Sequence, residues 1–359
     1  MKRVLCLIET IGSGGAERQL TGLAVMLRQK GYQVEVCYYV KKEFHLPYLQ
    51  ENGVDACFLA EATNPKKRFF VLWKHIKSFK PDIVISYSVS PSMITCLLKL
   101  FGLKYKLIVS ERNTTQQLNV REKLRFLLCR WANHIVPNSQ SQASFIDKNF
   151  PGLSNKVRVI TNFVDTEKFV PAKEPHKTTD VTRVICVGRL APQKNVLSFI
   201  EAVSKVVRLN NNVRFDWFGH DFGDAYAKCC YEAIDKLGLS DYFEFHPATS
   251  DVINEYQKSD VFCLPSLYEG FPNVLCEAMS CGLPVLCSRV CDNPYIIEEG
   301  KNGLLFNPKD AEDMAKKMLY FCKLPVEERY NMGKRSLEIA KKKFSKELFI
   351  QKYMDLIEL

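Results

Sequence analysis

Two carboxylates bracket an unusual turn in the stretch SLYEGFPNVLCEAMSCGLPVLCS, residues 266–288. Glu269 precedes Gly270, Phe271, Pro272 and Asn273, and Glu277 follows Val274, Leu275 and Cys276. Proline is tolerated in the first turn of a helix, so the sequence predicts a helix starting near residues 272–273. Glu269 then falls in the loop before the helix, and Glu277 about one turn in, roughly 6 Å further along the axis. The backbone N–H groups of residues 271–274 are expected to be free donors at the helix start. Two acceptors at different depths, beside free donors, suit a ligand with hydroxyls at both ends and an anion between. Compensation of the helix dipole explains Glu277 poorly, because its neighbours are Leu275, Cys276, Ala278 and Met279.

Two other loops could hold the anion. VGRLAPQKN, residues 187–195, carries Arg189 and Lys194 around a turn that opens a helix. An Arg can fork onto two phosphate oxygens while a Lys supplies a point charge. A solvated basic turn is the plainer reading of that loop taken alone. IGSGGAER, residues 11–18, places Gly12, Gly14 and Gly15 before another helix, where a backbone can approach a ligand closely. It could equally be a tight strand–helix turn, and it lacks the third glycine of a dinucleotide fingerprint.

The surrounding pattern is one of short apolar strands alternating with amphipathic helices. Strand runs fall at 3–9, 33–40, 81–88, 106–112 and 134–139, then at 183–190, 213–219, 243–247, 261–266 and 284–288. Helical spacing occupies 14–31, 92–102 and a span around 121–132. It returns near 195–208, 224–238 and 250–258, and in the C-terminal stretches 311–322, 326–343 and 346–358. Such alternation means parallel sheets covered on both faces, an α/β fold of two doubly wound, Rossmann-like domains. The expected boundaries are 1–170 for the first domain, 171–182 for a turn-rich linker and 183–340 for the second domain. A last helical stretch, 341–359, is expected to return to the first. Open α/β sheets bind ligands outside the carboxyl ends of their strands, so two domains facing across a cleft would turn each of these loops inward.

Composition narrows the classes. The chain has 359 residues, 47% of them hydrophobic, enough for two real cores. No apolar run is long enough to span a bilayer, and 4–8 is too short for a signal peptide, so a cytoplasmic protein is expected. Of the 14 cysteines, Cys6, Cys37, Cys186 and Cys263 sit in strand runs, where Cys behaves as a small buried hydrophobe. Cys276, Cys281, Cys287 and Cys291 are close in sequence, but their spacing fits no common zinc pattern, and reduced core thiols are the expectation. The net charge of +10 is uneven: residues 1–170 hold 25 Lys and Arg against 13 Asp and Glu, and the rest is close to neutral. A basic half implies an acidic partner such as anionic lipid, a phosphorylated substrate or nucleic acid.

Taken together, SGGAER, VGRLAPQKN, EGFPNVLCE with its E(x)7E spacing, and the tail EEGKNGLLFNPKDAEDMA resemble the retaining glycosyltransferases of the GT4 type with a GT-B fold. The likeness runs over nearly the whole chain. It implies that Gly14 and Gly15 face the diphosphate of a nucleotide-sugar donor, and that Arg189 and Lys194 neutralise it as it leaves. It also implies that Glu269 holds donor-sugar hydroxyls, that the backbone of Gly270, Phe271, Pro272, Asn273 and Val274 lines the sugar and phosphates, and that Glu277 binds the ribose. The resemblance further implies retention by front-side attack, with no metal and no other cofactor, which the absence of any Asp-x-Asp in the chain suits.

Three positions depart from the family pattern. Glu111, Arg112 and Asn113 stand where many members have a His, on the expected acceptor side. Gly219-His220-Asp221 replaces a Gly-x-Gly, and Asn162-Phe163 replaces an Asn-Gly. The stretches 64–80 and 118–131 combine cations with aromatic and aliphatic residues. They read either as ordinary amphipathic helices or as docking surfaces for an anionic inner-membrane face. The expected reaction moves a hexose or N-acetylhexosamine, from a UDP-sugar in preference to a GDP-sugar, to a glycan or polyprenyl-diphosphate-linked acceptor in bacterial surface polysaccharide synthesis. The alternatives are a nucleotide-sugar 2-epimerase on the same scaffold and, further off, a dinucleotide-dependent oxidoreductase. A nucleic-acid-binding module would explain the basic half but neither glutamate.

Overall fold

The computed structural model describes residues 1–59, 64–115, 117–173 and 181–359. Most of the expected linker, 174–180, lies outside them. The chain divides into two units, one made of Met1–Phe163 with Glu347–Leu359 and one of Val164–Lys346. The first unit thus ends at Phe163, ahead of the boundary expected at 170, and Thr182 already belongs to the first strand of the second sheet.

In the first unit six strands run in chain order: β1 Arg3–Leu7, β2 Gln33–Tyr38, β3 Asp55–Phe58, β4 Ile83–Tyr87, β5 Lys106–Glu111 and β6 His134–Pro137. They pair in parallel in the order β3-β2-β1-β4-β5-β6. The second unit holds β7 Thr182–Val187, β8 Val213–Phe218, β9 Phe243–His246, β10 Val261–Leu264, β11 Val285–Ser288 and β12 Gly303–Phe306, ordered β12-β11-β10-β7-β8-β9. Numbered within its own unit, each sheet has the same order, 3-2-1-4-5-6, the doubly wound arrangement of dinucleotide-binding folds.

Strand periodicity explains why both faces are covered. In β1, Val4 and Cys6 enter one apolar cluster while Leu5 and Leu7 enter another. In β7, Val184 and Cys186 face one cluster and Ile185 the other. Successive side chains point to opposite faces, so a continuous apolar strand needs helices on both.

The helix Lys346–Glu358 belongs to the first unit through Phe349, Ile350, Tyr353, Leu356 and Ile357, all buried in one of its clusters. A polar knot fixes it there. The buried Arg112 donates to Asn162 Oδ1 at 2.8 Å and to Tyr87 Oη at 2.7 Å, and also to Tyr353 Oη, which lies 2.9 Å from Tyr87 Oη. Next to it the chain is clasped again. Gln19, fully buried, accepts from Phe163 N and donates to Phe163 O, each at 2.9 Å. The Phe163 ring lies against Gly22, where a Cβ would come within 2.5 Å of it. The bulky residue in Asn162-Phe163 is therefore matched by a glycine on the facing helix.

Removing a charged partner from a buried network strands the others. Arg112→Ala should lower the stability of the first unit by about 3 kcal/mol, and Tyr353→Phe by about 1 kcal/mol. Urea unfolding followed by a probe in the first unit checks both, and equal midpoints for the two variants and wild type would contradict the assignment.

Candidate active site

In a 3-2-1-4-5-6 sheet the first and fourth strands are neighbours whose chains leave toward opposite faces, which opens a crevice at their carboxyl ends. In the second unit these strands are β7 and β10, and the loops that follow them carry Arg189, Lys194 and Glu269. Topology alone thus gathers residues 75 positions apart.

The closest contact there is an ion pair. Lys194 Nζ donates to Glu269 Oε1 at 2.6 Å, and both side chains are almost buried. The Lys194 stem lies across Gly188, where a Cβ would stand 3.1 Å from its Cε. Ser266 Oγ donates to the same carboxylate oxygen at 2.6 Å. The hydroxyl of Ser288, in β11, holds the Ser266 carbonyl at 2.6 Å, and Asn293 Nδ2 holds the Ser288 carbonyl at 2.8 Å. The two loops are also stitched directly, by Leu267 N to Gln193 O and Gln193 Nε2 to Tyr268 O, both at 2.9 Å. Arg189, in contrast, is exposed and has no ion pair to any described residue. It lies five residues before Lys194 on the loop that follows β7.

The helix expected behind Glu269 is Asn273–Ser280. Glu277 lies within it and is buried, as is Glu269. One expectation needs correcting: the Asn273 N–H is not a free donor, because it closes a turn on the Phe271 carbonyl at 2.9 Å. Phe271 itself is buried, with its ring edge-on to Phe344. Gly270, Pro272 and Val274 complete the turn between the two glutamates.

Three residues that the sequence did not single out shape this site. Asn195 adopts a left-handed backbone, φ 59°, and its side-chain amide donates to the Pro265 and Pro308 carbonyls at 3.1 and 2.7 Å. Cys291 is also left-handed, φ 46°, and its sulfur accepts the Glu269 N–H at 3.4 Å. Ser266 is the third. Non-glycine residues in this region cost energy and persist where the surroundings enforce them. Asn after a Pro-x-Lys turn was a readable signal, whereas Cys291 stood out only as one of four closely spaced cysteines.

In the first unit Gly14 caps the helix Gly15–Gln29 with an ordinary extended backbone, φ −74° and ψ 164°. The anion at that helix end is its own Glu17, whose carboxylate would sit 2.2 Å from a Cβ on Gly14. Burial pushes the Glu17 carboxyl above its usual range, and a hydrogen bond from its own N–H partly offsets this. The corresponding loop after β4 holds Ser88 at φ 75°, a second enforced conformation at a strand end. Of the three residues in place of the family's His, Glu111 is buried against Arg125 and Arg112 is in the knot described above. Only Asn113 is exposed. His246 lies beside Asp216 and stacks on Phe218 at 4.4 Å.

The two cationic–apolar stretches separate. In the helix Pro65–Phe79, Leu72 and Ile76 are buried and Arg68 is stacked on Tyr39, so that helix turns its apolar face to the core. The helix Val120–Leu128 is reversed. Its Arg125 and Phe126 point inward, while Val120, Leu124 and Leu127, with Leu118 and Trp131 flanking, are exposed. Leu118, Val120, Leu124 and Leu127 line a groove of about 690 Å³ with Phe150 and Leu153, rimmed by Lys123 and Arg130. Among the described residues no helix is long and apolar enough to cross a membrane.

Comparison with known proteins follows the same division. Residues 168–338 match the family model of glycosyl transferases group 1, and residues 13–168 match glycosyltransferase family 4. The Campylobacter jejuni GalNAc-alpha-(1->4)-GalNAc-alpha-(1->3)-diNAcBac-PP-undecaprenol alpha-1,4-N-acetyl-D-galactosaminyltransferase is 28% identical over 332 residues, 89% of this chain and 88% of that one. The Escherichia coli UDP-Gal:alpha-D-GlcNAc-diphosphoundecaprenol alpha-1,3-galactosyltransferase is 34% identical over 167 residues, 44% of this chain and 43% of that one. The crystal structure of Anabaena HepE in complex with UDP superposes with a TM-score of 0.88 at 18% identity, covering all of both chains.

The crevice also rests on a close backbone approach. A Cβ on Gly219 would stand 1.9 Å from the Gly188 carbonyl oxygen, which already accepts from Trp217 Nε1 at 2.7 Å. Gly219→Ala should therefore cost about 2–3 kcal/mol by forcing the β7 and β8 ends apart. Thermal unfolding reads the loss, and a variant as stable as wild type would show that the approach is not required.

Proposed function

The chain belongs to the group 1 glycosyltransferases, of GT-B fold with a family 4 first half, and on that premise we propose that it transfers a hexose or N-acetylhexosamine from a UDP-sugar to a polyprenyl-diphosphate-linked glycan. The observation that carries this reading is the Lys194–Glu269–Ser266 cluster at the switch point of the second sheet, with the exposed Arg189 on the same loop as Lys194. Support for the donor comes from the UDP bound by HepE, and for the acceptor from the undecaprenol-linked substrates named for the Campylobacter and Escherichia relatives.

The chemistry is electrostatic. Cleavage of the anomeric C–O bond leaves an electron pair on the diphosphate. Arg189 and Lys194 would answer that charge, and a preorganised cation lowers the barrier without reorganising. Glu269, oriented by Ser266, accepts hydrogen bonds from sugar hydroxyls, and Glu277 does so from the ribose. The acceptor hydroxyl attacks from the face the diphosphate leaves, its proton passes to a phosphate oxygen, and the anomeric configuration is retained. No second carboxylate is needed, unlike in a retaining hydrolase. Nor is a metal, since two cations answer the leaving charge and the chain has no Asp-x-Asp.

The exposed apolar stripe from Val120 to Trp131, rimmed by cations, suits an anionic membrane surface where a lipid-linked acceptor resides. Aliphatic side chains would enter the headgroup boundary while Arg121, Lys123 and Arg130 meet the phosphates.

Transfer assays with a panel of UDP- and GDP-sugars and a polyprenyl-diphosphate-linked acceptor, run with EDTA present, test the reaction. UDP release should require the acceptor, and Arg189→Ala and Lys194→Ala should each lower kcat about 30–1000-fold, or about 2–4 kcal/mol of transition-state stabilisation. Acceptor-independent nucleotide release with a rearranged sugar would instead identify an epimerase. For the membrane surface, flotation should bring wild type up with anionic but not neutral vesicles, and Leu124→Asp with Leu127→Asp should abolish it. Equal flotation of the double variant would remove that stripe from the account.

A further inference from the structure

One face of the first sheet carries side chains that a helix-on-sheet layer does not need. Glu35 and Cys37 are two residues apart on β2 and so point the same way. Cys57, on the edge strand β3, stands in register with Cys37. His75 descends on them from the helix Pro65–Phe79, whose neighbouring Leu72 and Ile76 are buried apolar residues of the same layer. The imidazole Nε2 lies 2.7 Å from Glu35 Oε2 and 3.3 Å from Cys37 Sγ. One donor atom from each of the four residues falls within 4.8 Å of every other.

An ion pair between Glu35 and His75 accounts for two of the four. It does not account for two thiols in register beside the same imidazole nitrogen. The sequence treated Cys37 as a buried strand residue, and in isolation it is one, with no exposure at all. Its neighbours change that reading. They place a second thiol, an imidazole and a carboxylate around its sulfur.

We propose that Glu35, Cys37, Cys57 and His75 form a structural zinc site in the first unit. Two thiolates, one imidazole and one carboxylate are a donor set suited to zinc. With metal–ligand bonds of about 2.0–2.3 Å, a tetrahedral ion needs ligand atoms about 3.3–3.8 Å apart. The quartet is therefore close to that spacing before any ion arrives, and side-chain adjustments of about 1 Å complete it. The Glu35 and His75 side chains are 15% and 20% exposed, which leaves the ion a route in from solvent. Bound there, the ion would tie the edge strand β3 to β2 and to the helix above them. It would not take part in the sugar transfer, whose proposed charged residues lie in the other unit.

The test uses the full chain, reduced and stripped of metal, titrated with cobalt(II) alone and then with zinc. One equivalent of cobalt should give the visible bands of a tetrahedral ion together with a near-ultraviolet thiolate-to-metal band, and one equivalent of zinc should remove both. Cys57→Ser and His75→Gln should each weaken binding by at least about 100-fold, and Cys57→Ser should cut the thiolate band by about half. Cys57 lies on an edge strand and is only partly buried, so its Ser variant is expected to fold. Melting checks this independently: zinc should raise the Tm of wild type and leave that of Cys57→Ser unmoved, while the two metal-free proteins melt alike. Stoichiometric binding that survives both substitutions, no binding at one equivalent, or a Cys37–Cys57 disulfide in place of the ion would overturn the assignment.

Discussion

The contact between Lys194 and Glu269 governs the second unit. Two opposite charges are held almost out of water at the meeting point of β7 and β10. Such a pair adds little net stability, because desolvation offsets most of the attraction, while loss of either partner is costly. A fold gains little from placing one there for its own sake. The neighbouring structure nevertheless serves it: Gly188 leaves room for the lysine stem, Ser288 steadies Ser266, and Asn195 clips the turn to two proline carbonyls. The arrangement makes sense if an anion is expected. In the proposed reaction the phosphates would meet the exposed Arg189 and then Lys194, whose carboxylate partner would turn to sugar hydroxyls.

Much of this fold could be read from the chain, and the two strands it missed are short. Long buried strands such as β1, β4, β7 and β8 announce themselves as apolar runs. The strands absent from the sequence reading, β3 and β12, are each four residues long and sit at the edge of their sheets. β3 is nowhere fully buried and so carries no apolar run, whereas β12 is buried throughout but only four residues long. The site was legible to a similar depth. Spacing and residue type pointed to Arg189, Lys194, Glu269 and Glu277, because charges beside strand ends are conspicuous. Their supports, Ser266 and Cys291, are small residues whose importance lies in backbone geometry and three-dimensional neighbours.

In the first unit, conspicuous residues are tied into the surrounding structure. Glu111 and Arg112 occupy positions that invite a catalytic reading, yet one neutralises Arg125 and the other binds Tyr87, Tyr353 and Asn162 together. The helix carrying Arg125 mixes its faces as a result. That one cation is drawn inward to Glu111 beside the buried Phe126, while Val120, Leu124 and Leu127 are left at the surface. An amphipathic pattern gives the existence of two faces but not which one is inward. A buried counter-ion 14 residues away decided it here.

The placement of the helix Lys346–Glu358 in the first unit bears on how the molecule is made. A ribosome delivers the six strands of that unit first, then the whole of the second unit, and only afterwards the helix that covers Val4, Leu20 and Leu23 and supplies Tyr353 to Arg112. At about 5–20 residues per second, the gap is on the order of 10–40 s. During it the earlier half carries an uncovered apolar face and a buried guanidinium short of one partner. The part translated later can reach its native state sooner, and the nascent chain offers a chaperone a surface that vanishes once this helix docks.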